Sequence, residues 1–215
     1  MMAGTDTSAI SVQWVIAELI NHPKVFKKLR DEINSVVGPN RLVRESDIPN
    51  LPYLHTVVKE TLRLHPPSPV VLRASIEDCQ INGFDVKANT RMLVNVYTIQ
   101  RDPNLWKDPE EFIPERFAAN HNTNSSQMEM KGQIFNFFPF GSGRRGCPGV
   151  TLALAVVQSS VAVLVQCFDW KAKDGEKIDM QEGSGFSMGM AKPLVCYPIT
   201  HMNPFELGLD MAEPE

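Results

Sequence analysis

One run of ten residues, Phe140-Gly141-Ser142-Gly143-Arg144-Arg145-Gly146-Cys147-Pro148-Gly149, stands directly before an uncharged stretch from Val150 to Phe168. No other segment limits the fold as tightly. The glycines let the backbone approach another group closely. The stretch that follows is rich in Ala and Val but carries Thr151, Gln158, Ser159, Ser160 and Gln166. It therefore reads as a helix buried on all sides rather than as a membrane span, although its length suits either. Cys147 then sits at a helix N-terminus, whose unpaired N–H groups stabilise a thiolate. Arg144 and Arg145 add positive charge beside it. A thiolate so placed is a nucleophile or a metal ligand. None of the 5 histidines neighbours Cys147 in the chain, which disfavours thiol hydrolysis.

The rest of the chain predicts a mainly α fold with small antiparallel β-sheets. Ile10, Trp14, Val15 and Leu19 mark a first helix over 7–20. Pro23 opens a second helix and Gly38 stops it. Its apolar face holds Val25, Phe26, Leu29, Ile33, Val36 and Val37. Its other face, with Lys24, Lys27, Lys28, Arg30 and Asp31, reads as solvated or as a docking patch for an acidic partner. A third helix runs from Pro52 to His65 and ends at Pro66-Pro67. Residues 75–81 and 84–86 form a hairpin around Asn82-Gly83, and 91–96 a further strand. From Arg101 to Phe140 there is little periodicity. That irregular length, about 40 residues, signals function. Residues 120–133 are expected to be a polar surface loop, and 205–215 a frayed acidic tail.

Composition narrows the function. The formal net charge of −4 argues against a nucleic-acid module. Four cysteines without a Cys-x-x-Cys pair argue against a zinc finger or a disulfide scaffold. No secretory signal is read at the N-terminus. Gly141-x-Gly143-x-x-Gly146 does match the dinucleotide fingerprint, with Asp169 about 20 residues on as a ribose-binding acid. That leaves an NAD-binding oxidoreductase as an alternative, weakened by Pro139, Pro148, two arginines in the turn and the lack of a parallel βαβ series.

Four motifs in order carry a family resemblance. Phe140-x-x-Gly143-x-Arg145-x-Cys147-x-Gly149 resembles the haem-binding loop of the cytochrome P450 monooxygenases. Glu60-Thr61-Leu62-Arg63 resembles their Glu-x-x-Arg helix motif. Pro114-Glu115-Arg116-Phe117 resembles the motif whose arginine completes a Glu–Arg–Arg cluster. Ala3-Gly4-Thr5-Asp6-Thr7-Ser8 resembles their oxygen-activating helix segment. The resemblance covers about residues 1–204. Its wording, with Asn203-Pro204-Phe205, is most similar to plant microsomal members of the flavonoid branch, which holds flavone synthase, isoflavone synthase and pterocarpan hydroxylase.

The resemblance implies the C-terminal half of the cytochrome P450 fold and a monooxygenase that hydroxylates or desaturates a lipophilic, flavonoid-like metabolite. Cys147 would be the metal ligand of haem b. Arg73, Phe140, Gly141, Arg145, Gly149 and Ala153 would bind the cofactor. Asp6 and Thr7 would pass protons to O2; read alone, they are polar residues on a helix surface. Glu60, Arg63 and Arg116 would form a buried charge cluster; read alone, Glu60 and Arg63 are an i,i+3 pair. Val70, Val71, Leu72, Phe186 and Ser187 would face substrate. Electrons would come from NADPH through NADPH-cytochrome P450 reductase, on the cytosolic face of the endoplasmic reticulum membrane. Family members are considerably longer and membrane-anchored. A truncated, catalytically incompetent haem-binding remnant is therefore the second expectation, and this chain without an anchor would be cytosolic or unfolded.

Overall fold

The computed structural model describes residues 2–118 and 135–203. The expected surface loop over 120–133 and the acidic tail over 205–215 lie outside the described residues. Five helices are described: α1 Met2–Asn21, α2 Pro23–Val37, α3 Pro52–Leu64, the short α4 Val96–Ile99, and α5 Val150–Cys167. Six strands pair into antiparallel ribbons: β1 Val70–Ala74 with β4 Arg91–Asn95, β2 Cys79–Ile81 with β3 Phe84–Val86, and β5 Phe168–Ala172 with β6 Cys196–Thr200.

Local chemistry sets the helix limits. Gly38 takes φ +77°, and its N–H donates to the Asn34 carbonyl at 3.0 Å, which ends α2. Pro52 opens α3, and the free N–H groups of Tyr53 and Leu54 donate to the two Glu32 oxygens at 2.7 and 3.0 Å. Asn82 and Gly83 both have positive φ, as a type I′ turn requires.

The core lies where α1, α2, α3 and α5 meet. Val15, Leu19, Leu29, Ile33, Leu54, Val57, Val161 and Val165 are all essentially inaccessible there. Each such side chain contributes about 1.5–3 kcal/mol on burial.

Four expectations need correction. α5 packs on α1, α2 and α3 but is not buried on all sides. In its first two turns Leu152 is 70% and Val156 45% exposed, an i,i+4 pair. By length and composition α5 could also cross a membrane. Arg30 does not belong to a solvated face. It is buried and donates to the Val165 carbonyl at 2.8 Å, to the Phe168 carbonyl and to the Asp169 carboxylate. Its long stem covers apolar surface while the head finds carbonyls at the end of α5. Val70–Ala74 forms a strand, and the hairpin strand starts at Cys79 rather than Ser75. Finally, Asp169 stands in an antiparallel ribbon and pairs with Arg30. No parallel pair occurs among the described strands, so the dinucleotide reading fails.

Candidate functional site

The loop before α5 is held open by its glycines. Gly141 and Gly143 take φ +70° and +68°, a region that side chains enter only at a cost. The Gly141 N–H donates to the Phe138 carbonyl at 2.9 Å, and the Gly146 N–H to the Gly143 carbonyl at 3.0 Å. The Cys147 N–H then donates to the Phe140 carbonyl at 2.9 Å and closes the loop. Phe140 packs against the core, which anchors that closure. The Cys147 thiol is left exposed. A Cβ on Gly149 would lie 3.8 Å from its sulfur, so nothing larger than ordinary contact crowds the thiol from that side. The Gly149 carbonyl accepts from Ala153 N–H at 2.8 Å, placing Ala153 one turn into α5.

Strand β1 brings Arg73 to the same loop. Its Nη2 donates to the Arg145 carbonyl at 3.3 Å and its Nη1 to the Leu72 carbonyl at 2.9 Å. A Cβ on Gly141 would stand 3.3 Å from Arg73 Nη2. A cavity of about 280 Å³ adjoins the loop, lined by Val71, Arg73, Val94, Ile99, Phe135, Phe138, Gly141 and Ser142. Strand alternation puts Val71 and Arg73 on the cavity side and Val70 and Leu72 on the opposite face, where Leu72 is exposed. Asp6 and Thr7 lie near the start of α1, Asp6 exposed and Thr7 partly buried. The Thr7 carbonyl accepts from Ser11 Oγ at 2.8 Å. Phe186 is exposed in the segment that follows Gly185, and Ser187 is partly buried.

Glu60, Arg63 and Arg116 meet in the interior. Arg63 holds Glu60 with Nε at 2.8 Å and Nη2 at 2.9 Å, and both side chains are fully buried. Arg116 Nε and the Ile113 N–H reach the same Glu60 oxygen at 3.0 and 2.9 Å. The remaining Arg63 donors go to the carbonyls of Gln100, Pro109 and Glu111. Those of Arg116 go to the carbonyls of Lys107, Asp108 and Glu111. The two guanidinium groups thus supply the hydrogen bonds that the irregular segment after α4 cannot make with itself.

Several residues at this site carry no obvious sequence signal. Gln100 is fully buried; its amide donates to the Leu62 and Arg63 carbonyls at 3.0 and 3.1 Å and accepts from Phe138 N–H at 3.2 Å. It links the end of α3 to the start of the glycine loop. Only the Pro66-Pro67 stop hints at it, because a helix ended there leaves carbonyls to satisfy. Trp14, Glu18, His65 and Arg101, all buried, form a second polar group with the partly buried Glu182. Burial raises the Glu18 carboxyl, but hydrogen bonds from His22 and His65 more than reverse this and leave it below its ordinary value.

Comparison with known proteins gives these features a family. The cytochrome P450 family model matches residues 1–197. A 3,9-dihydroxypterocarpan 6A-monooxygenase from Glycine max is 51% identical over 205 residues, covering 95% of this chain and 40% of that protein. A beta-amyrin 24-hydroxylase from Glycine max is 49% identical over 206 residues, again 95% and 40%. A zebra fish cytochrome P450 solved with abiraterone superposes with a TM-score of 0.82 at 30% identity, covering 94% of this chain and 45% of that one. The chain belongs to the cytochrome P450 family, and its fold is the C-terminal portion of that family's fold. It spans about 40% of the length of the curated relatives it matches.

The residues present fit a haem. An exposed, glycine-flanked thiol at a helix N-terminus is a soft donor suited to iron. Mostly apolar side chains line the neighbouring cavity, and Arg73, hydrogen-bonded to the Arg145 carbonyl, offers a cation to a carboxylate at its edge. Among the described residues no cluster of three or more His, Cys, Asp or Glu could hold a metal.

Proposed function

We propose that this sequence forms the thiolate face of a haem monooxygenase that hydroxylates or desaturates a lipophilic, flavonoid-like plant metabolite. The observation that carries the reading is the exposed Cys147 thiol in a loop closed by its own N–H on Phe140 and bordered by Arg73. Haem b held through a thiolate supplies reductive O2 cleavage and oxygen insertion into a C–H bond.

The chain's own residues supply the rest. Cys147 would hold the haem iron through its sulfur, and Gly141, Gly149 and Ala153 would leave room for close approach. Arg73 and Arg145 would pair with the haem carboxylates. Phe140 would pack beside Cys147. Thr7 and Asp6 would hold and pass protons to O2. Val71 borders the cavity, and Val70, Leu72, Phe186 and Ser187 contribute apolar and polar surface toward substrate. NADPH supplies electrons through a reductase at the endoplasmic reticulum membrane. The pterocarpan and beta-amyrin relatives stand at nearly equal identity; the flavonoid-like substrate rests on the motif wording and the apolar character of Val70, Val71, Leu72 and Phe186.

The test is turnover by the haem-loaded protein with reductase, NADPH, a flavanone and isotopically labelled O2. A product carrying one labelled oxygen, or a desaturated product whose formation requires O2 and releases labelled water, is expected and is lost in Cys147→Ser. Product formed without O2, or undiminished turnover by Cys147→Ser, would overturn the reading. A haem-loaded protein that never turns over is the outcome expected of a catalytically incompetent remnant.

A further inference from the structure

The segment from Glu182 to Met190 folds back on itself through a Glu182–Met190 bridge, with the Gly183 N–H on the Gly189 carbonyl at 2.8 Å. A Cβ on Gly183 would lie 3.2 Å from the Met190 carbonyl oxygen, so glycine permits the close pairing. Phe186, near the tip, is 77% exposed. Little apolar burial holds this hairpin. Met188 is its one buried residue, and the Met188 N–H donates to the Pro67 carbonyl at 3.0 Å.

The remaining anchors are side chains from elsewhere. Trp14, wholly buried on α1, donates its indole N–H to the Met188 carbonyl at 2.9 Å. A ring in the core needs no N–H for packing, and a buried one is costly unless it finds an acceptor. His65 stacks on that indole, ring centroids 3.9 Å apart and 4° from parallel. One His65 nitrogen bonds Glu18 Oε1 at 2.7 Å, and the other faces Glu182 Oε1 at 3.7 Å. Arg101 Nη2 donates to that same Glu182 oxygen at 3.1 Å.

Placement on α1 gives these anchors meaning. The side chain of Ile10 lies 3.8 Å from where a Cβ on Gly189 would sit. Ile10 and Trp14 follow Thr7 at i+3 and i+7, the spacing of one helix face. The hairpin is therefore docked on the face of α1 that carries Thr7.

We propose that Trp14 and His65 are positioning residues that register the Glu182–Met190 hairpin on the Thr7 face of α1, and that they thereby set substrate specificity without touching substrate. The specificity half rests on the functional reading above; the registration half does not.

Trp14→Phe keeps an aromatic ring against His65 and removes the indole N–H. His65→Phe keeps the stack and removes the polar contacts to Glu18 and Glu182. Both are compared with wild type in the haem-loaded chain by amide hydrogen exchange and by flavanone-induced spin-state spectra. Exchange over 182–190 should rise by between about twofold and tenfold, the range for one lost hydrogen bond, with the β5–β6 ribbon unchanged. The apparent flavanone affinity should fall in parallel while the thiolate signature of the haem persists. Unchanged hairpin exchange in Trp14→Phe overturns the registration, even if His65→Phe fails to fold. Faster exchange with unchanged flavanone response overturns the specificity role. A wild-type protein with no flavanone response defeats the functional reading and the specificity role together, and hairpin exchange still decides registration.

Discussion

Two buried charged groups flank α3, one on its last turns and one just past its end, and they are satisfied to different degrees. Around Glu60 and Arg63, the carboxylate accepts from two arginines and a backbone N–H, and every Arg63 nitrogen has a partner. Around His65, one imidazole nitrogen and one Arg101 nitrogen, Nη1, are buried without a hydrogen-bond partner. The first group behaves as a fixed clamp on a segment with no regular structure of its own. The second holds a hairpin by fewer and longer contacts. Low dielectric strengthens a completed network and penalises an open one. Rigidity is thus concentrated under the cysteine loop, which Gln100 ties to the clamp, and slack is left under the segment proposed to meet substrate.

The largest effect expected from this contrast is in the clamp. Arg63→Ala removes the bidentate partner of a fully buried carboxylate, leaving it to Arg116 and the Ile113 N–H, and strips the donor from the carbonyls of Gln100 and Pro109; it should cost about 3–5 kcal/mol in denaturant unfolding. Arg116→Ala should cost less, about 1–3 kcal/mol, because Arg63 still neutralises Glu60. Equal losses would mean that the two arginines do not play distinct roles.

The second cluster should be the more sensitive to pH. Its hydrogen bond to Glu18 raises His22 above its usual 6.5, against an opposing burial effect. Glu18 lies below its usual 4.5. The His22 contribution is complete below about pH 6.5 and is lost as pH rises through the raised folded value. The Glu18 contribution is complete above about pH 4.5 and is lost as pH falls through the lowered folded value. Both therefore act fully between about pH 4.5 and 6.5. The difference in stability between wild type and His22→Gln should be greatest in that window and shrink on either side. A difference independent of pH from 4 to 9 would refute the coupling of these groups.

The smallest effect should come from the surface. Lys27 and Asp31 pair at 2.6 Å across one turn of α2, with both side chains largely exposed. Lys27→Ala should change stability by no more than about 0.5 kcal/mol, and added salt should erase the change.

These regions were unequally legible in the sequence. The cysteine loop could be read because its chemistry is local: glycines, arginines and a thiol within one decade of residues. Gly38, Pro52 and Pro66 marked helix ends because each restricts its own backbone. The Glu–Arg–Arg cluster needed a family resemblance, since nothing near Arg116 says that it meets an acid 56 positions away. Trp14 and Glu182 were silent for the same reason, their partners being set by tertiary packing. Arg30 reads as exposed in the sequence because charge ordinarily signals exposure, whereas helix-end carbonyls of α5 and Asp169 draw it inward. β1 leaves little mark in the sequence, because a short strand after Pro69 shows little alternation until its partner β4 is known.

The role given to Cys147 is tested most directly by the carbon monoxide spectrum of the reduced, haem-loaded protein. A thiolate-ligated complex has a Soret band well to the red of the band given by an imidazole ligand. Wild type should show the red-shifted band, and Cys147→His should move it to the imidazole position with haem retained. An imidazole-type band in the wild type, or the red-shifted band surviving in Cys147→His, would contradict ligation by this sulfur.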